Sequence, residues 1–133
     1  MDYQLRVCGT PKPKGSWNTF YNKKVRRCIL IPASKSKPWE KLVAMAALDA
    51  GVEKLEGPVA VDMTFFMHRP KSVSFEKRAV PCVMPDIDKL ARSILDALTG
   101  VAYKDDGQVV DLIARKRYDD REEQGVIINI SEY

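Results

Sequence analysis

The stretch that decides the fold is Met84-Pro85-Asp86-Ile87-Asp88-Lys89-Leu90-Ala91-Arg92-Ser93-Ile94-Leu95-Asp96-Ala97-Leu98, closed by Tyr103-Lys104-Asp105-Asp106-Gly107-Gln108-Val109-Val110. Ile87, Leu90, Ile94, Leu95 and Leu98 fall on one stripe, which predicts a helix over 86–99 ended by Gly100. Pro85 biases Met84 toward extended backbone, so Asp86 stands at the helix start. On a regular helix residues i and i+2 do not face each other. Asp86 and Asp88 can therefore share a cation only if the helix begins within Asp86-Ile87-Asp88. From Asp88 onward, i,i+4 spacing makes Asp88, Arg92 and Asp96 a polar ridge beside the apolar stripe. A five-residue loop then leads to Asp105-Asp106 and a strand over 108–116. If that strand lies beside the helix, one or both of these carboxylates can approach the first pair.

Working outward, Val59, Val61, Met63, Phe65 and Met67 share one parity and predict a strand over 59–67. Trp39, Leu42, Val43, Ala46 and Ala50 form a helical stripe over 39–50, with Gly51 as its stop. Strands are predicted over 4–8, 25–31 and 126–130. Residues 10–22 read as a loop because of Pro11, Pro13 and Gly15, and 32–38 as a second break. Residues 68–81 read as a polar, basic surface connection, and 119–125 as a charged turn. The predicted order is β-β-α-β-α-β-β: a small mixed β-sheet with two main helices, an α+β fold. At 133 residues the chain is expected to be a single domain, 1–133.

Composition narrows the function. The chain is 45% hydrophobic and 30% charged, ordinary for a soluble globule. No apolar run approaches the ~18–20 residues of a membrane span, and no signal peptide is evident. Cys8, Cys28 and Cys82 are odd in number and lack CxxC spacing, which argues against a disulfide framework or a zinc site and for a reducing cytoplasm. His68 is the only histidine, too few for a zinc centre, and reads as a surface or strand-end residue. No P-loop pattern and no G-x-S-x-G occur, so no nucleotide cofactor is expected.

The net charge of +4 conceals a split. Between Thr10 and Pro38 stand Lys12, Lys14, Lys23, Lys24, Arg26, Arg27, Lys35 and Lys37, with no Asp or Glu. Between Asp86 and Asp111 there are six aspartates against Lys89, Arg92 and Lys104. A charge run is ordinarily a solvated face. Here Trp17, Phe20, Tyr21 and Trp39 accompany it, and bases stack on aromatic rings while Lys and Arg take phosphates.

The aspartates have two readings. Taken singly, Asp is a favoured helix N-cap, and Asp-Asp-Gly is a common turn. Taken together, Asp86, Asp88, Asp105 and Asp106 repel one another unless a divalent ion neutralises them. Oxygen-only donors without a His or Cys set point to Mg²⁺ or Mn²⁺.

The run Pro85-Asp86-Ile87-Asp88-x-Leu90, Leu95-Asp96-Ala97-Leu98, Asp105-Asp106-x-Gln108-Val109-Val110 and Lys116 resembles the signature of the RusA family of Holliday junction resolvases. The resemblance implies a small homodimeric α+β endonuclease, common in phages and prophages, acting in the cytoplasm of a bacterial host. It implies paired symmetric nicks in four-way DNA junctions with Mg²⁺ or Mn²⁺, leaving 5′-phosphate and 3′-hydroxyl ends. It carries the catalytic aspartates onto Asp86, Asp88 and the Asp105-Asp106 pair, with Asp106 as the essential member, and the helix aspartate onto Asp96. Two positions depart from the family pattern. Lys89 stands where members usually have Asn, and Arg92 where they often have a lysine important for cleavage. Arginine keeps the charge and can clamp a phosphate, but it is a poor general acid.

On this reading Asp86, Asp88 and Asp106 hold one or two ions with Asp105 assisting, and Arg92 or Lys89 neutralises the transition state. Lys12, Lys14, Lys23, Lys24, Arg26, Arg27, Arg69, Lys71, Arg115, Lys116 and Arg117 are candidate DNA-backbone contacts. A junction- or fork-binding protein with lost or altered cleavage is the alternative. A related nuclease of flaps or forks is a third.

Overall fold

The computed structural model describes residues 2–15, 17–22, 27–32 and 36–133, with 17–22 and 27–32 described by their backbone. Its elements are β1 (Asp2–Cys8), β2 (Trp17–Asn22), β3 (Arg27–Pro32), α1 (Lys37–Asp49), β4 (Val59–Met67), α2 (Ile87–Leu98), β5 (Val109–Tyr118) and β6 (Gly125–Glu132). The α+β class, the mixed sheet and the two main helices agree with the sequence reading. One element is new. β2 occupies part of the segment read as a loop, so the order is β-β-β-α-β-α-β-β. β2 pairs antiparallel with β3, Trp17 opposite Pro32 and Asn22 opposite Arg27. The prolines and the glycine that suggested a loop all precede the strand, and its partner lies outside any local window.

The main sheet has the order β1-β6-β4-β5. β6 is antiparallel to both neighbours, and β4 runs parallel to β5. Its inner face is a lattice of cross-strand apolar pairs. Leu5 lies opposite Ile128, which lies opposite Met63; Val7 lies opposite Val126, which lies opposite Phe65. All six are buried. They share one core cluster with Trp39, Val43 and Ala47 of α1 and Leu90, Ile94 and Leu98 of α2. Truncating such a residue to alanine costs about 2–5 kcal/mol. The helical stripes differ at their margins: Leu42 and Ile87 are 44% and 38% exposed. The α1 stripe instead buries Glu40.

Gly125 opens β6 at φ +151°, and a Cβ there would collide with the Val7 carbonyl oxygen. Only glycine lets β1 and β6 approach so closely at this point.

One topological feature places the carboxylates. A helix that connects two parallel strands runs back along them. The end of α2 therefore lies near the start of β5, and the start of α2 lies near the end of β5. Asp105-Asp106 immediately precede β5; Asp86 and Asp88 stand at the opposite end of α2.

Candidate active site

Asp86 occupies the N-cap position of α2 with extended backbone (φ −70°, ψ 139°), yet its side chain makes no capping hydrogen bond. Its carboxylate stands 3.6 Å from the Lys89 ammonium, and both groups are largely in solvent. Asp88 and Arg92 are exposed on the same helix. Neither side chain makes a hydrogen bond or ion pair with the described residues. The Asp88, Arg92, Asp96 ridge is present, and the side chains of its first two members have no partner among the described residues.

The start of α2 is held from the sheet. Lys116 on β5 donates from Nζ to the carbonyls of Val83 (2.7 Å) and Pro85 (2.9 Å). The loop before it is tied by Arg69, which binds Asp120 through Nε (2.7 Å) and Nη2 (2.8 Å). Arg69 also donates to the carbonyls of Arg78 (2.7 Å) and Ala79 (3.2 Å). Its guanidinium packs 4.1 Å from the centroid of the Tyr118 ring. This pairing holds the Asp120 carboxyl below its ordinary range. The segment read as a plain connection is thus organised around one guanidinium. His68 is exposed at the end of β4 and contacts Asp119 at 3.1 Å.

At the other end of α2 the carboxylates are engaged. Asp105 caps a single 3-10 turn, Asp106–Gln108: its Oδ1 accepts from the Gly107 amide, and Gln108 Oε1 accepts from the Asp105 amide. Gln108 Nε2 ties the turn to the carbonyls of Leu55 and Gly57. Buried Tyr103 anchors the preceding loop through its hydroxyl on the Leu95 carbonyl, and burial pushes its phenol up. Asp106 does no capping. Its carboxyl is raised above the ordinary carboxylate range by loss of solvent and by its neighbours Asp105 and Asp96. Beside it, the Lys14 ammonium lies 3.1 Å from both Glu40 and Asp96. Burial works against the Lys14 charge, but its bonds to Glu40 and Asp96 outweigh this and hold the ammonium above its usual range. Ser36 Oγ donates to Glu40 at 2.6 Å.

Residues 12–14 of the basic N-terminal segment lie across α2. The Lys14 amide donates to the Lys89 carbonyl (2.9 Å), and Ser93 Oγ donates to the Lys12 carbonyl (2.6 Å). The first two lysines of the basic block are therefore adjacent to the acidic block in space. Of the candidate DNA contacts, Lys12, Lys71 and Arg117 are exposed. Lys14, Arg69 and Lys116 hold the structure together, and Arg115 pairs with Asp62 at 2.9 Å. Lys23, Lys24 and Arg26 lie outside the described residues, as does the Arg27 side chain. Sequence reading missed Glu40 and Ser36. The available signal was a glutamate at a helical stripe position, three residues before Val43 and seven before Ala47.

The donor set is all oxygen and suits a hard divalent cation. The positions suit one only in part. Asp106 meets Asp96 and Asp105, whereas Asp88 stands about 12 Å from Asp96 along the helix axis at 1.5 Å per residue. Among the described residues, no three Asp, Glu, His or Cys side chains converge as a metal-holding group.

Comparison with known protein families gives one match over most of the chain. The family described as Endodeoxyribonuclease RusA matches residues 10–131. The chain belongs to the RusA family. A relative in Bacillus subtilis (strain 168), the uncharacterized protein YqaN, is 34% identical over 139 aligned residues, covering 94% of each chain. The RusA match spans the basic segment, both helices, β2 to β5 and β6 as far as Ser131. Among the described residues, no helix is long and apolar enough to cross a membrane.

Proposed function

We propose that this RusA-family protein is a metal-dependent endodeoxyribonuclease that resolves four-way DNA junctions by paired symmetric nicks. The observation that carries the reading is the start of α2. Asp86 and Asp88 are exposed there without capping duties, beside Arg92, whose side chain has no partner among the described residues, and under residues 12–14 of the basic segment, which are pinned across the same helix. Structural needs leave these two carboxylates unexplained, and family membership supplies the chemistry that uses them.

Asp86 and Asp88 would hold Mg²⁺ or Mn²⁺ at the start of α2, while Asp105 and Asp106, at its far end, lie beyond the reach of that ion within one chain. Bound there, the ion polarises a phosphate and lowers the pKa of water. Arg92 is placed to clamp the phosphate through its planar fork, and Lys89 adds positive charge beside Asp86. Lys12, Lys71 and Arg117 contact the backbone of the DNA and position it without reading sequence. The protein works as a homodimer, because a twofold dimer matches the pseudo-twofold symmetry of a junction. The edge strand β5, which leaves Val110, Leu112 and Ile113 in solvent, supports that association. We place the activity in the cytoplasm of a bacterial host, with a phage or prophage origin.

One observation favours a second reading, a junction- or fork-binding protein that does not cut. Arg92 stands where the family often has a lysine, and it is a poor proton donor. A synthetic four-way junction with labelled arms separates the two. Paired nicks that require Mg²⁺ or Mn²⁺ and spare linear duplex support the resolvase. Saturated binding without a nick in either metal supports the binder.

A further inference from the structure

Between the loop that precedes Asp86 and the end of β5 lies a cavity of about 240 Å³. Its walls are largely apolar, including Met67, Pro81, Val83 and Met84. Its polar side chains include Arg78, Lys116 and Tyr118, and no Asp or Glu lines it. The two bonds from Lys116 to the Val83 and Pro85 carbonyls fix one wall against the start of α2.

Two observations indicate that this cavity takes a ligand. The Tyr118 hydroxyl and Arg78 Nε are buried and have no hydrogen-bond partner among the described residues. Tyr118 is only 6% exposed. Buried polar groups are paired as a rule, and each exception asks for a partner. Secondly, Met84 at the cavity is 83% exposed, with Val80 and Val83 also in solvent. Apolar side chains so placed resemble the wedges that proteins insert between base steps.

We propose that the cavity receives one nucleobase, unstacked from the strand next to the bond to be cut, with Met84 as the wedge that holds the step open. The inference rests on the reading that Asp86 and Asp88 carry cleavage, since Met84-Pro85 leads directly into Asp86. The apolar walls favour a flat heteroaromatic ring over a phosphate group, which prefers a wet, charged site. The volume is below the ~300–1,000 Å³ of drug-sized ligand sites and suits a base without its sugar. Tyr118 O–H and Arg78 Nε–H supply donors to the ring nitrogens and carbonyls of a base edge, and enzymes that extrude bases read them in this way. The site gives a structure-selective nuclease a means of preferring one nucleotide at the cut.

The test uses the full-length protein and a four-way junction whose cut positions have been mapped. In Ca²⁺, 2-aminopurine is placed beside the cut bond. Wild-type protein brightens it as the base unstacks, and Met84→Ala and Tyr118→Phe reduce that signal at unchanged junction affinity. In Mg²⁺, an abasic nucleotide at the same place and Tyr118→Phe each slow single-turnover cleavage about tenfold, in line with the value of one base-edge contact. Combined, they slow it no more than either alone. Losses that multiply, or no brightening in Ca²⁺, overturn the proposal. So does a Tyr118→Phe defect confined to affinity and salt dependence, which marks a phosphate contact instead. The fluorescence needs no cleavage, so an intact signal beside an Asp88→Asn variant that still cuts would fault the catalytic reading and not the cavity.

Discussion

The two ends of α2 carry the same residue type in opposite circumstances. At the C-terminal end, Asp96 is bound to Lys14, Asp105 caps a turn and Glu40 is held by Ser36. At the N-terminal end, Asp86 holds no cap and Asp88 has no partner among the described residues. A carboxylate that satisfies a neighbour contributes to folding, and its removal is felt in stability. A carboxylate left free at a helix start contributes little to folding, and its removal is felt in chemistry. Asp106 is intermediate: it sits at the satisfied end, but its own neighbours are carboxylates.

The largest expected effect tests the free end. Asp86→Asn lowers single-turnover junction cleavage at least ~100-fold, the cost of losing one preorganised charge at a reacting phosphate. Its melting temperature stays at the wild-type value, as for most surface substitutions. A stability loss without a cleavage defect would reverse the assignment of that end. The next effect tests the satisfied end. Lys14→Met leaves Glu40 buried without its ammonium and destabilises the fold by about 1–3 kcal/mol in urea titration. If Lys14 were instead a DNA contact, stability would hold and junction affinity would fall with a shallower salt dependence.

Arg92→Ala sharpens the comparison further. It lowers cleavage about tenfold at saturating protein, and Arg92→Lys restores most of it, because the position needs a cation first and a fork second. The smallest effect concerns Asp106. Its carboxyl titrates above the unfolded value, so the native state retains its proton longer, and stability falls as pH rises through that titration. Asp106→Asn therefore raises the melting temperature slightly at pH 7. The advantage closes as pH drops through the raised carboxylate range. An unchanged difference between pH 3 and pH 8 would mean that neither loss of solvent nor the Asp105 and Asp96 carboxylates raise this titration.

Much of the fold was legible because its signals are local. β4 follows strict alternation from Val59 to Met67, and α2 follows an apolar stripe bounded by Asp86 and Gly100. β2 was not legible, since it is a strand only through pairing with β3. The site was legible in its residue types and less so in its grouping. Asp106 was expected to approach Asp86 and Asp88 and instead meets Asp96. The cause is the parallel pairing of β4 with β5, which places the start of β5 at the far end of α2. Spacing along the chain does not reveal which strand edge a helix returns to. Charge pattern likewise does not separate Lys12, which is exposed, from Lys14, which is locked between Glu40 and Asp96.

The central claim is that the start of α2 is where DNA is cut. Its most direct test is wild-type protein beside Asp88→Asn on one labelled four-way junction, with binding and single-turnover cleavage measured in Mg²⁺, Mn²⁺ and EDTA. The wild type is expected to give paired nicks only with metal, and Asp88→Asn to bind the junction as tightly or more tightly with no nick. An Asp88→Asn protein that cuts at the wild-type rate would contradict it.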